Sequence, residues 1–326
     1  MTSTVAHPVE QKAPSRLASR VPSFDVLFVP GLIVALCVAL TIASPYFLNS
    51  RNFGQILMQG AVLGIVAVGA TFVIIGGDLD LSVGYNVALS GVTTAMIASD
   101  TGSWQVGAVA GLGAGLALGL VNGFLTTVLN VPSFVATLGT GTVAGGLALY
   151  LTGGSTISGL PAGFGDLAKT EILGLQTMVW FMLLLFVLGG ILLHRTSFGV
   201  KVFSTGGNRQ AAFLSGISVN RIRVSYFALA GLCGGIAGVL LTSRVQAGQP
   251  GVGSSLTLFA TAAVILGGTS ILGGRGSMAR TFAGLMLIAV VQNGLDILGV
   301  EYSLQQVAIG GVFILAACTE ALRRRR

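Results

Sequence analysis

The chain has 326 residues, 53% of them hydrophobic and 8% charged, with a formal net charge of +7. Soluble proteins carry about 25% charged residues, so this balance excludes a soluble globular protein and leaves an integral membrane protein. The basic residues sit in short loops and tails, where they set orientation in the bilayer and do not imply a nucleic-acid partner.

Residues 1–23 are polar and basic, with Lys12, Arg16 and Arg20, and read as a cytoplasmic N-terminal tail. The apolar run that follows is much longer than the roughly 7–15 residues of a signal-peptide core, so it reads as a retained span. A helix needs about 20 apolar residues to cross the hydrocarbon core, and runs of that kind recur at roughly 24–48, 55–77, 83–99, 104–129, 133–152, 173–194, 223–243, 257–272, 281–298 and 303–321. They do not alternate as barrel strands do. The expected fold is all-α, a polytopic membrane helix bundle of about ten transmembrane helices over residues 24–321 with both termini cytoplasmic. Residues 322–326 close the chain as a basic cytoplasmic tail. Glycine is abundant, at 49 residues, and suits close backbone approach in a tight bundle. Cys37, Cys233 and Cys318 each lie in an apolar run and read as free thiols.

Between the second and third runs stands "GGDLDLSVG", Gly76 to Gly84. A charge at the bilayer centre costs about 2.5–3.5 kcal/mol on insertion scales, so Asp78 and Asp80 need an explanation. One reading is a capped turn near the cytoplasmic face, with Asp80 or Ser82 capping the next helix. The other is a broken segment on the solute path, which the glycines permit. "VIIGG" (Val73 to Gly77) and "VILGG" (Val264 to Gly268) are alike, as internal duplication or chance in Gly-rich apolar sequence would both produce. Further polar residues inside spans are Gln59, Asn86, Asn122, Gln292, Asn293 and Asp296. They suit either interhelical hydrogen bonds or the donors and acceptors that a neutral polyol needs.

The loop from Arg195 to Arg223 holds five basic residues and no acid. With ten spans it falls on the same face as both tails and as Arg275 and Arg280, and the positive-inside rule makes that face cytoplasmic. The other face receives the mixed set Arg51, Asp100, Asp166, Lys169, Glu171, Arg244 and Glu301. Within the basic loop, Gly206 and Gly207 break the preceding structure and Asn208 is a good N-cap. "RQAAFL" makes two turns, and Gly216 is placed to end them in the left-handed region. A helix this short is marginal alone, so it rests on headgroups or docks into a cytoplasmic partner. The chain has no Gly-x-x-x-x-Gly-Lys-Ser/Thr phosphate loop, no His-Glu-x-x-His and no Gly-x-Ser-x-Gly. No catalytic residue, metal site or cofactor is expected.

"GGNRQAAFLSGI" resembles the ATPase-coupling motif of bacterial ABC-importer permeases of the ribose/xylose/galactose class. "DLDLSVG" (Asp78 to Gly84), "VNGFLTTVLNVPSFVATLGT" (Val121 to Thr140), "GGLALYLTGG" (Gly145 to Gly154), "ILGGTSILGGRGS" (Ile265 to Ser277) and "QNGLDILGV" (Gln292 to Val300) resemble that family in the same order. Two positions depart from it: Asp78 stands where a second glycine is common, and Asp296 where Asn is common. The resemblance implies a membrane-spanning subunit of an ATP-driven importer for a monosaccharide or sugar-like solute. Coupling is then carried by Gly207, Asn208, Ala211, Ala212, Ser215, Gly216 and Ile217. Asp78, Asp80, Ser82, Asn86, Asn122, Asn293 and Asp296 are the candidates for the solute path or gate. The implied partners are a cytoplasmic ATP-binding subunit, a periplasmic sugar-binding protein and a second permease copy, in a bacterial inner membrane. The competing expectation is a self-sufficient ion-coupled secondary carrier that uses Asp80 or Asp296.

Overall fold

The computed structural model describes residues 24–301 and 303–311. The basic tails at 1–23 and 322–326, the last part of the final expected span and Cys318 lie outside the described residues. Long apolar helices dominate: α1 (Phe24–Ala43), α2 (Ser50–Ile75), α3 (Val83–Thr101), α4 (Trp104–Thr127) and α5 (Ser133–Thr152). A short α6 (Asp166–Lys169) and a hairpin of β1 (Glu171–Ile172) with β2 (Leu175–Gln176) lead into α7 (Thr177–Arg195). Next come α8 (Ser197–Gly207), α9 (Arg209–Leu214), α10 (Val219–Val245), α11 (Ser254–Leu266) and α12 (Met278–Ile297). Residues 303–311 are again helical. Among the described residues six helices (α2, α4, α5, α7, α10 and α12) are long and apolar enough to cross a membrane. The expected helical membrane bundle is thus present, with one small hairpin added.

The centre of the bundle is α2, whose residues from Gly60 to Ile75 are all buried. Against it pack α7, α10, α11 and α12, through Met182, Tyr226, Phe227, Val264 and Leu285 among others. The third layer is built differently. Gly107, Gly111, Gly115, Gly119 and Gly123 recur every fourth residue on α4 and form one buried stripe. A Cβ on Gly107 or Gly111 would run into Thr94 of α3, and one on Gly115, Gly119 or Gly123 into the α10 backbone. Backbone lies on backbone here, which only residues without side-chain bulk allow. The opposite side of α4 exposes Val109, Leu120 and Phe124, as a lipid-facing surface does.

Two stretches depart from regular helix inside the bundle. The first lies between the expected second and third spans, after α2. The chain leaves α2 through Gly76 and the left-handed Gly77 (φ 79°), then runs without helix to Ser82. Leu79 N donates to Ser133 Oγ at 3.3 Å and Leu81 N to Thr137 Oγ1 at 3.0 Å, and Ser82 lies beside Gly141. The segment therefore climbs about 12 Å along α5 into the bundle, and side-chain hydroxyls satisfy the backbone donors that lipid cannot. The second is the expected eighth span. Its helix, α11, is only about 20 Å long, short of the roughly 30 Å hydrocarbon core. The irregular segment 246–253 supplies the rest: Gly248 pairs with Ile157 and touches Ala95, and Gly253 touches Gly84. The N-termini of α3 and α11 thus meet inside the bundle. A Cβ on either Gly84 or Gly253 would overlap the other's carbonyl oxygen.

The two similar pentapeptides end their helices alike. Gly77 N donates to Ile74 O and Asp78 N to Val73 O; Gly268 N donates to Ile265 O and Thr269 N to Val264 O. Each is a left-handed glycine end that satisfies the last carbonyls. Both lie at one end of the bundle, where Gly274 N donates to Ile75 O at 2.8 Å and a Cβ on Gly273 would strike Gly77.

Candidate functional site

The basic loop is more ordered than expected. Besides the short helix it contains α8, which the sequence reading missed. Its buried residues, Gly199, Val202 and Thr205, are three apart and bring one face onto the bundle. α9 follows as expected: Asn208 Oδ1 accepts from Ala211 N at 2.9 Å, and Gly216 sits at φ 81° with its N–H on Phe213 O. Ile217 N closes onto Ala212 O at 3.1 Å and Ser215 Oγ onto Ala211 O at 2.9 Å. Ala212 faces inward, at 4% exposure. The outward tip is Phe213 (68% exposed) and Leu214 (77% exposed), with Gly207, Ala211, Ser215 and Gly216 exposed beside it.

Asp78 lies under α9 at the outer end of the break and is 4% exposed. Arg223 reaches it with two nitrogens, Nε to Oδ2 at 2.9 Å and Nη2 to Oδ1 at 3.0 Å. Arg209, the first residue of α9, donates Nη2 to Oδ1 and to Gly77 O, both at 2.9 Å. The Tyr226 hydroxyl donates to Oδ2. Among the described residues both side-chain ion pairs fall on this one carboxylate. Burial pushes the Asp78 carboxyl up, but the Arg223 hydrogen bonds and charge, the Tyr226 hydroxyl and the Arg209 charge outweigh it and hold it below the usual carboxylate range. Arg223, counted above among the cytoplasmic anchors, is itself 7% exposed and balances Asp78. Tyr226 lies three residues on, on the same helix face. The signal for this partnership was an arginine just inside an apolar run, which requires a counter-charge.

Asp80 lies at the inner end. Its Oδ1 accepts from Ser82 N at 2.9 Å and Ser82 Oγ at 2.6 Å. Ser82 Oγ accepts from Asn122 Nδ2 at 2.7 Å, and Asn122 Oδ1 accepts from Thr140 Oγ1 at 2.5 Å. All of these but Thr140 are fully buried, and they tie the break to α4 and α5. Ser82 occupies the N-cap position of α3 without making a side-chain cap bond. The cap comes from a distant residue, Thr257 of α11, whose Oγ1 accepts from Gly84 N at 3.0 Å. Asn86, one turn further, donates Nδ2 to Gly115 O at 3.2 Å and Gly231 O at 3.1 Å. It pins α3 to the glycine seam.

Asn293 and Asp296 are elsewhere, at the hairpin end of α12. Asn293 and Asn52 exchange amide bonds at 3.0 and 2.8 Å. Asp296 accepts from Gln59 Nε2 at 3.0 Å and Gln305 Nε2 at 2.8 Å. The candidates thus divide: Asp80, Ser82 and Asn122 form one chain, Asp78 joins the arginines, Asn86 holds backbones together, and Asn293 with Asp296 forms a separate amide cluster.

Comparison with known proteins places this arrangement. The family described as "Branched-chain amino acid transport system / permease component" matches residues 52–317. The ribose import permease protein RbsC of Bacillus subtilis (strain 168) is 42% identical over 290 residues, covering 88% of this chain and 89% of that protein. The L-arabinose ABC transporter permease protein AraH of Azospirillum brasilense is 35% identical, covering 90% and 87%. The D-allose transport system permease protein AlsC of Escherichia coli (strain K12) is 32% identical, covering 98% of each. No solved structure gives a significant match. The chain belongs to the branched-chain amino acid transport system / permease component family, within its ribose-type class of sugar ABC-importer permeases, and is a multi-pass protein of the inner membrane.

Proposed function

We propose that this chain is the membrane-spanning subunit of an ATP-driven monosaccharide importer and takes its power stroke through residues 208–216. The observation that carries this reading is α9 itself: a capped two-turn helix that presents Phe213 and Leu214 on the face holding Arg195, Lys201, Arg209 and Arg221. A paired apolar tip on a charged rim is the kind of anchor that fills a partner's pocket. The basic rim makes that face cytoplasmic, with ten spans and both termini on the same side. The partners are an ATP-binding subunit below, a periplasmic sugar-binding protein above, and a second permease copy alongside. The Asp80–Ser82–Asn122–Thr140 chain acts as the latch of the α2–α3 break, and its release opens the solute path. Relatives named for ribose, L-arabinose and D-allose define the sugars to try first.

The test is co-purification with the ATP-binding subunit, followed by ATP hydrolysis with each of these three sugars on the binding protein. The double variant Phe213→Asp/Leu214→Asp stays in the membrane and loses the ATP-binding subunit. Sugar accumulation by the lone chain in vesicles that dissipates with the ion gradient would instead establish a secondary carrier built on Asp80 or Asp296.

A further inference from the structure

We infer that Asp78 is the joint that carries movement of α9 into the broken segment before α3, with Arg209 and Arg223 as the positioning residues on its two sides. The inference rests on α9 being the coupling element. Among the described residues, the other hydrogen bonds of α9 stay within residues 204–217. Arg209 is therefore its hydrogen-bonded route to the rest of the bundle, and it reaches Gly77 O and Asp78 Oδ1 together.

The two arms of the joint differ. The Arg223 side chain is 9% exposed, bonds Asp78 through two nitrogens and anchors its third, Nη1, on Thr126 O of α4 at 2.9 Å. The Arg209 side chain is 44% exposed and comes from a six-residue helix. One arm is fixed to the bundle and the other to the mobile partner's docking element. Charge-assisted bonds to a buried carboxylate are stiff and directional. What lies beyond Asp78 is compliant by comparison, since residues 78–82 have no helical ladder and Leu79 N and Leu81 N are tied to α5 only through single bonds to the Ser133 and Thr137 hydroxyls. Two residues further on is Asp80, whose oxygen holds Ser82 and through it Asn122. A pull on Arg209 thus reaches the latch without crossing a helix.

The test uses the full chain co-purified with its ATP-binding subunit, reconstituted with the sugar-binding protein and whichever of ribose, L-arabinose or D-allose stimulates the wild type. In Arg209→Ala the ATP-binding subunit still co-purifies. Stimulation of hydrolysis by the sugar-loaded binding protein drops to the unstimulated rate, and vesicle uptake falls by roughly tenfold or more. Arg209→Lys, which keeps the charge, recovers part of the stimulation. If Arg209→Ala does not accumulate, Arg209→Gln replaces it. Full stimulation in Arg209→Ala overturns the joint, and so does loss of the ATP-binding subunit, which would make Arg209 a docking contact. Failure of the parent reading shows separately: Phe213→Asp/Leu214→Asp would then retain both the subunit and its stimulation.

Discussion

The outer and inner ends of the α2–α3 break each hold one aspartate and treat it in opposite ways. Asp78, under α9, is met by two guanidinium groups and a phenol. Asp80, next but one in sequence, is met by the backbone and hydroxyl of Ser82 and sits in a chain of neutral groups. The outer end is a charged clamp and the inner end a hydrogen-bonded latch. A clamp resists displacement through Coulomb attraction that low dielectric strengthens, whereas the links beyond Asp80, from Asn122 to Ser82 and from Thr140 to Asn122, join neutral groups, and such bonds inside a membrane protein contribute little each because alternative partners are at hand. The difference teaches that one short non-helical stretch is held by charge where it lies under α9 and by neutral links where it meets α4 and α5.

The sharpest way to break this comparison is at the clamp. Asp78→Asn leaves Arg223 buried without its counter-charge, which costs about 3–5 kcal/mol, and thermal melting in detergent should show it. Arg223→Met added to Asp78→Asn recovers much of that loss, since the unpaired charge is gone. The acid limb sharpens the same point. The depressed Asp78 value means its contribution is fully present above the ordinary carboxylate value of about 3.9 and is lost as pH falls through the folded-state value. The gap in melting temperature between wild type and Asp78→Asn is therefore widest near neutrality and closes on acidification.

Next in size is the meeting of the two half-helices. Gly84→Ala drives a methyl into the Gly253 carbonyl, an overpacking cost of about 1–3 kcal/mol. Gly113→Ala, on α4 with open space around it, is neutral or slightly stabilising in the same melting assay. The latch gives a smaller effect. Asn122→Ala removes bonds to both Ser82 and Thr140, at most about 1.7 kcal/mol for each bond lost, while uptake changes more than stability does. Smallest is the Asn52–Asn293 pair, where a double-mutant cycle should return about 0.6 kcal/mol.

Much of this was legible in the sequence because it is local. Apolar run length located the helices, and the Asn208 cap and Gly216 stop follow from side-chain and backbone preferences within nine residues. The glycine period on α4 was visible too, as "GAVAGLGAGLALGLVNG", and went unread as a seam. What could not be read is tertiary. Arg223 is separated from Asp78 by 145 positions, and nothing in either neighbourhood names the other. The cap of α3 belongs to α11, and Ala212 faces inward because of how α8 and α10 hold α9, which no helical periodicity over six residues can reveal. Discontinuous spans also defeat a hydropathy count, since apolar residues look the same whether helical or extended.

The α4 seam has a consequence at the level of codons. Every single-base change that alters a glycine codon without introducing a stop installs a side chain, alanine at the smallest. At Gly107, Gly111, Gly115, Gly119 and Gly123 the space for a Cβ is already taken, so these five positions have no tolerated missense neighbour one step away. The opposite side of α4, with Val109, Leu120 and Phe124 turned outward, can exchange one aliphatic or aromatic group for another freely. A deep mutational scan of α4 should therefore come out striped, with depleted variants on every fourth position and drift between them.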